Sequence, residues 1–368
     1  MGRTRPRSAT GPGLADPRVG PVLVVNAGSK SLKLYVVDSD ERSTPLDSFD
    51  AAPPELTVVA HRVVHGGPGF RDPVVIDPAV RDEIRDLISL APLHNAPALA
   101  AIQAAQQALP RIPHVAVFDT SFHRTIPDEA AVYAVPRSWL EDWGIRRYGF
   151  QGLSVEWCAQ RVPELLGHPV DRLVVCHLGG GSSVTAVRSG KSVDTTMGFT
   201  PLEGVPMTTR AGSIDPGALL YVLRERHLNV DSLDHVLNFD SGVEGLAGSG
   251  GGMIDVERRA QSGDPNALLA LDVMLHHLAA AVAAMAASTG GLDALAFTAG
   301  IGEGSALVRE RLCNRLAFLD VELDIGRNQN AATDCDIATE RSRVRVLVVR
   351  AREELVAARA ARALLDLT

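Results

Sequence analysis

The chain has 368 residues, more than a single hydrophobic core usually serves, so two domains are expected. Apolar residues make up 46% and charged residues 22%, the proportions of a globular protein. A net charge of -8, with no cluster of Lys and Arg beside aromatics, argues against a nucleic-acid partner.

Cys158, Cys176, Cys313 and Cys335 lie far apart with no CxxC pair; they read as buried small residues in a reducing compartment and argue against zinc. Met1 to Gly20 carries Arg3, Arg5 and Arg7, three prolines and four glycines with no apolar core, so it reads as a disordered tail rather than a secretion signal, and a cytoplasmic protein is expected.

In Pro21 to Val37 an apolar run reaches a Gly/Ser turn at Ala27 to Ser31, and alternation resumes through Leu32, Leu34 and Val36, the pattern of two strands and a tight turn. Glu55 to Gly67 is a strand ending in a glycine turn. His61 and His65 have helical zinc spacing, but their β-branched setting makes metal binding unexpected. Asp77-Pro78 starts a helix with Ile84, Leu87 and Ile88 on its apolar face, and a second, Ala-rich helix runs from about Pro97 to Leu109. The strand His114 to Phe118 delivers Asp119 at its C-terminal end, where α/β folds place chemistry. Arg146 to Ser154 reads as the crossing between domains.

Leu173 to Val187 repeats the first pattern: an apolar run, the glycines Gly179, Gly180 and Gly181, and a β-branched run. Such turns either close backbone N–H groups around an anion or are ordinary hairpins. Their recurrence, one per half, suggests two related domains holding a phosphorylated ligand between them. Gly190-Lys191-Ser192 spells the end of a Walker loop, but Thr185 stands where its first glycine belongs, so this is a hairpin turn.

Thr195 to Gly217 is long and turn-rich, with Arg210 its one cation; loops of this length carry function or are disordered. Asp264-Pro265 caps a helix to about Thr289, ended by Gly290-Gly291. Its most apolar run, Leu278 to Ala287, is too short to span a bilayer, and His276 and His277 read as solvated or core-edge residues. Leu295 to Phe297 is a buried strand emptying into a loop, Thr298 to Gly304, before a helix from about Ser305. The strand Val344 to Val349, Glu353-Glu354 and a helix through Leu365 close the chain.

Phosphoryl transfer needs Mg²⁺, cations on the equatorial oxygens and in-line positioning. Asp119 and Glu353 follow buried strands and suit a metal held by one or two carboxylates and waters; the other reading, a surface carboxylate or helix cap, weighs evenly for Glu353 and less for Asp119. Arg62 and Arg210 are candidates to fork onto phosphate oxygens, or surface ion pairs.

Ten segments, in order, resemble the acetate kinases: NAGSKSLK (Asn26 to Lys33), HRVVHGG (His61 to Gly67), LAPLHN (Leu90 to Asn95), FDTSFH (Phe118 to His123), RRYGFQG (Arg146 to Gly152), HLGGG (His177 to Gly181), GFTPLEG (Gly198 to Gly204), TRAGSIDP (Thr209 to Pro216), TAGIGE (Thr298 to Glu303) and EEL (Glu353 to Leu355). The resemblance implies an α/β, duplicated actin-like (ribonuclease H-like) two-domain fold with an interdomain cleft, usually a homodimer. It divides the chain into a lobe of residues 21–120 plus 355–368 on the acyl and phosphate side and a lobe of residues 121–354 on the nucleotide side.

The implied reaction is reversible transfer of the ATP γ-phosphoryl to acetate, with Mg²⁺ or Mn²⁺, giving acetyl phosphate and ADP. By the same resemblance Asn26, Ser29, Ser31 and Lys33 line the phosphate and metal end, Arg62 and Arg210 grip the phosphoryl group, Asp119 and Glu353 organise the metal, and His94 and His177 donate to phosphate oxygens. Val64, Leu93, Phe150 and Pro201 form the acyl pocket. Gly179, Gly180, Gly181, Gly252, Gly300, Ile301 and Gly302 lie along the nucleotide.

Several positions depart from the family pattern. Gln151 and Val155 replace two histidines, the first expected on the planar phosphoryl group; Gly180 and Gly304 replace asparagines, Lys30 a serine, and Gly252 and Ile254 an Asp and an Arg expected on the nucleoside. Two alternatives stand beside acetate kinase: a kinase for propionate or another short acyl chain, decided by pocket volume, and, from Gln151, Gly252 and Ile254, a degenerate homologue binding nucleotide or a partner with little or no turnover. The catalytic reading requires Arg62, Arg210, Asp119 and Glu353 to converge on one small anion.

Overall fold

The computed structural model describes residues 20–28, 32–248 and 250–367; Ser29, Lys30, Ser31 and the expected tail before Gly20 lie outside the described residues. Two mixed sheets organise the chain. The first holds β1 (Val22–Ala27), β2 (Leu32–Val37), β3 (Ser43–Leu46), β4 (Val58–Val63), β5 (Val74–Val75) and β6 (His114–Phe118) in the order β3-β2-β1-β4-β6-β5. The second holds β7 (Arg172–Leu178), β8 (Ser182–Arg188), β9 (Lys191–Thr195), β10 (Ala294–Thr298), β11 (Cys335–Asp336) and β12 (Arg345–Val348) in the order β9-β8-β7-β10-β12-β11.

The two orders match position for position, as do the senses of pairing. Antiparallel hairpins β1–β2 and β7–β8 each extend to a third antiparallel strand, and β1–β4–β6 and β7–β10–β12 are parallel. This is the duplicated actin-like α/β arrangement that the resemblance implies.

The central strands read as continuous apolar runs because both faces are covered. Helices Gly152–Leu166 and Glu353–Leu364 pack on each other between the sheets, the second on β1, β4 and β6 and the first on β7 and β10. Val24, Ala60, Val175, Ala296, Cys158 and Ala358 therefore share one core. The C-terminal helix thus returns to the sheet that opens the chain.

Register places the chemistry. Parallel pairing sets Asn26 beside Arg62 and Arg62 beside Val117, so Asn26, Arg62 and Asp119 emerge together at the C-terminal ends of adjacent strands. In the second sheet His177 pairs with Thr298.

Five expectations change. The Ala-rich helix begins at Pro92 and runs to Ala108, with Pro97 inside it; Pro92 fills the first-turn position that needs no N–H. Thr298 to Gly304 is not a loop, since Ala299–Gly304 is helical. Cys335 is partly exposed while the other three cysteines are buried.

None of Gly179, Gly180 and Gly181 has a positive φ; what the turn uses is the missing Cβ, because one on Gly181 would stand 3.2 Å from Arg210 Nη1 and 3.3 Å from Gln151 Nε2. Finally, Pro265–Thr289 is long and apolar enough to cross a membrane by length and composition. In the fold its Leu271, Leu275, Leu278 and Val282 fill the core of the second sheet.

Candidate active site

At the strand ends of the first sheet, Arg62 is held as a fork by Asp119, Nη2 to Oδ2 at 2.6 Å and Nε to Oδ1 at 2.9 Å. Its Nη1 reaches Glu353 Oε2 at 3.0 Å and donates to Asn26 Oδ1 at 3.1 Å, and Asn26 Nδ2 donates to the same Glu353 oxygen at 3.3 Å. Four residues from the two ends of the chain thus form one network.

Burial works against the Arg62 charge, but Asp119 and Glu353 outweigh it and hold its pKa above the ordinary value. Asp119 is pushed up, burial prevailing over the attraction of Arg62, with the Glu353 charge adding to it. Glu353 resists burial through Arg62, His177, Asn26 and Lys33, which together hold it below the usual range.

Arg210 faces this network across a cleft of about 550 Å³ whose walls include both arginines, Asp119, Gln151 and His94. Its Nη1 donates to Pro201 O at 3.3 Å and its Nη2 to His94 Nε2 at 3.3 Å. Among the described residues no carboxylate pairs with it, and burial lowers its pKa. An uncompensated guanidinium facing a cleft is a standing attraction for an anion. Arginine only donates, so His94 Nε2 accepts here. The donor role expected of His94 falls instead to Nδ1, and Nε2 holds Arg210.

Gln151 sits at φ 61°, ψ 23°, immediately before helix Gly152–Leu166. A non-glycine residue in this region costs about 1–3 kcal/mol and is retained where surrounding structure fixes it. Here Ser183 Oγ donates to Gln151 Oε1 at 2.6 Å, which turns the amide nitrogen toward Gly181 and Arg210.

Val64, Phe150, Met197 and Met207 form an apolar cluster apart from the main cores, and the first three line the cleft with Leu93 and Pro201. The two methionines had no sequence signal, because nothing local marks loop residue 197 as lining a pocket or residue 207 as packing behind it. Gly180, Gly181 and Gly252 also line the cleft; Lys33, His177, Gly179, Gly300, Ile301 and Gly302 lie outside that lining. Ile301 packs on the second core and Gly302 is buried.

Sequence reasoning also missed Asn238, Phe239 and Glu244, which line the end of the cleft near Gly252. The Glu244 carboxylate accepts from the Gly252 N–H. Ile254 is 85% exposed.

Burial lowers the pKa of His65, His94, His123 and His177 to about 4 in each case. His123 bonds Ser192 Oγ at 2.8 Å and Phe150 O at 2.9 Å, and His177 Nδ1 bonds Ser154 Oγ at 2.8 Å. Unfolding frees these rings to titrate near 6.5, so between pH 4 and 6.5 the unfolded chain binds more protons. Stability is then lost as pH falls through that window, by up to about 1.4 kcal/mol per pH unit for each fully buried ring. Thermal melts should show a Tm that drops steeply from pH 7 to pH 5; a flat profile would contradict the neutral, buried state of these rings.

Residues 45–359 match the acetokinase family model. The chain belongs to the acetokinase family. Among relatives, this acetokinase is 49% identical over 307 residues to an acetate kinase of Microcystis aeruginosa, covering 83% of this chain and 76% of the relative. It is 48% identical over 312 residues to an acetate kinase of Gloeobacter violaceus, covering 84% and 77%.

Among solved structures, the acetokinase chain superimposes on a propionate kinase from Francisella tularensis with a TM-score of 0.86 at 33% identity, covering 93% of this chain and 98% of that one. The acetate kinase of Porphyromonas gingivalis gives a TM-score of 0.82 at 30% identity, covering 94% and 100%.

Proposed function

We propose that this chain is an acetate kinase: a carboxylate oxygen of acetate attacks the γ-phosphorus of ATP in line, the bond to the β-phosphate oxygen breaks, and acetyl phosphate and ADP leave. The observation that carries the reading is Arg210. It is a half-buried cation with no acidic partner among the described residues, beside an apolar pocket and across from the Arg62 network. A small carboxylate with an apolar tail fits both features: the methyl group lies against Val64, Phe150, Leu93 and Pro201, and its charge meets Arg210.

Arg62 has five N–H donors, four of them used on Asp119, Asn26 and Glu353. One remains for the transferring group. Together with Arg210 and the Gln151 amide, it surrounds the equatorial oxygens where charge spreads in the transition state. In the tautomer where Nδ1 accepts from Ser154 Oγ, His177 carries its proton on Nε2 and donates from there.

Asn26, Asp119 and Glu353 suit Mg²⁺ or Mn²⁺. All three present oxygens, and Glu353 Oε1 takes no hydrogen bond among the described residues. A metal held there neutralises phosphate charge.

On this reading Lys33, His177, Gly179, Gly180, Gly181, Gly252, Gly300, Ile301 and Gly302 serve the nucleotide. Residues 21–120 with 355–368 form the lobe facing residues 121–354. A cytoplasmic homodimer goes with it, and exposed Leu220, Tyr221, Val230 and Val236 on consecutive helices supply apolar surface for pairing.

The test is trapping of acyl phosphate as hydroxamate, using purified full-length chain, ATP, Mg²⁺ and acetate, with propionate and butyrate alongside. Product with acetate is expected; none above background at high acetate would overturn the assignment. Gln151→His should raise kcat about tenfold or more, since a ring N–H restores the stronger donor, with little change in acetate KM. An unchanged or lower kcat would count against the place given to this residue.

A further inference from the structure

We propose that a second cavity, beside the turns that follow β4 and β6, binds a small polyanion carrying carboxylate or phosphate groups. It encloses about 450 Å³, within the range of small-molecule sites. Its walls are the turn after β4, the short 3-10 turn after β6, and the segment that leads into the cleft. These carry four arginines, Arg71, Arg124, Arg146 and Arg147, against one lining carboxylate, Asp128.

Only Arg147 is fully engaged, bonding Glu203 and the carbonyls of Thr195, Thr196 and Met197. Arg146 reaches Asp128 at 3.4 Å and Arg124 reaches Asp72 at 3.5 Å. Both distances are longer than the 2.7–2.9 Å or so of a strong charge-assisted bond. Both acids are mostly exposed, Asp128 by 84% and Asp72 by 72%, so an incoming anion can displace them at small cost.

Arg71 has no ion pair among the described residues. Arg71, Arg146 and Tyr148 line the same cavity, and both guanidinium charges act on the Tyr148 hydroxyl. That hydroxyl is already committed to Gly144 O at 2.9 Å. Several forked donors converging from three loops match a ligand with two or more anionic groups, rather than a single halide or a neutral molecule.

The structure also supplies a readout independent of turnover. Leu140 and Gly144 line the cavity, and between and beside them Trp139 and Trp143 form a ring pair 5.5 Å apart. They are two of the three tryptophans in the chain.

Citrate and inorganic pyrophosphate are the probes, titrated separately into the full-length protein without nucleotide or metal, following tryptophan fluorescence and confirming by calorimetry. At least one probe should bind saturably. The Arg71→Ala/Arg124→Ala double variant should weaken that binding tenfold or more, and Arg71→Gln/Arg124→Gln should reproduce the loss. Arg210→Ala should leave it intact, because that residue lies in the cleft. Citrate alone binding identifies a polycarboxylate site, and pyrophosphate alone a phosphate site. No saturable binding by either probe, unchanged affinity in the double variants, or loss on Arg210→Ala would each overturn the proposal.

Discussion

Arg210→Ala should lower kcat/KM for acetate by about 10³–10⁵, the range seen when a cation on a transferring phosphoryl group is removed, while leaving Tm unchanged or higher. The stability half follows from its surroundings. Arg210 donates to a carbonyl and a neutral imidazole at 3.3 Å and to the Met207 sulfur at 3.9 Å, none of them charged, and burial disfavours its charge. Removing a charge held out of water without a counter-ion costs the folded state little and can add about 0.5–2 kcal/mol. Steady-state kinetics and a melt on the same preparation check both halves. A variant of near wild-type activity would sink the role given to Arg210, and a large drop in Tm would show it to be a structural residue instead.

Arg62→Ala should fail on both counts. The side chain neutralises two carboxylates at once, Asp119 and Glu353, and its removal leaves them facing each other with only Asn26 between. Breaking a buried network from one side costs about 3–5 kcal/mol, and loss of a donor at the reacting group costs about 10²–10³ in rate. Denaturant unfolding should show the lower stability. Lowering the pH should recover part of it, because protonating one carboxylate relieves the repulsion. Wild-type stability in Arg62→Ala would mean that the four-residue network contributes nothing to the fold. The contrast between two arginines on one cleft separates a cation placed for a substrate from one that also holds the lobe together.

Much of this site was legible before any coordinates. Asp119 follows an unbroken apolar run, His114 to Phe118, and a buried parallel strand places its next polar residue at the sheet's C-terminal edge. The repeat of apolar run, small-residue turn and alternation marked the duplication, which the strand orders express. Pairings such as Arg62 with Glu353 were beyond local reading, since 291 positions separate them and the meeting depends on the last helix returning to the first sheet. Met197 and Met207 escaped for the same reason: an apolar cluster behind a pocket wall is a property of packing, and their loop carries no period.

Pattern and residue type along the chain determined the two strand sets, the parallel cores, the caps at Asp77 and Asp264 and the presence of the polar groups, because these depend on backbone preference and burial within a few residues. Tertiary structure alone decided which arginine pairs with carboxylates among the described residues, that His94 Nε2 accepts from Arg210, and that Gln151 turns its amide nitrogen inward. Each is a matter of which group stands within about 3 Å of which, and only the packing together of segments far apart in the chain sets those distances.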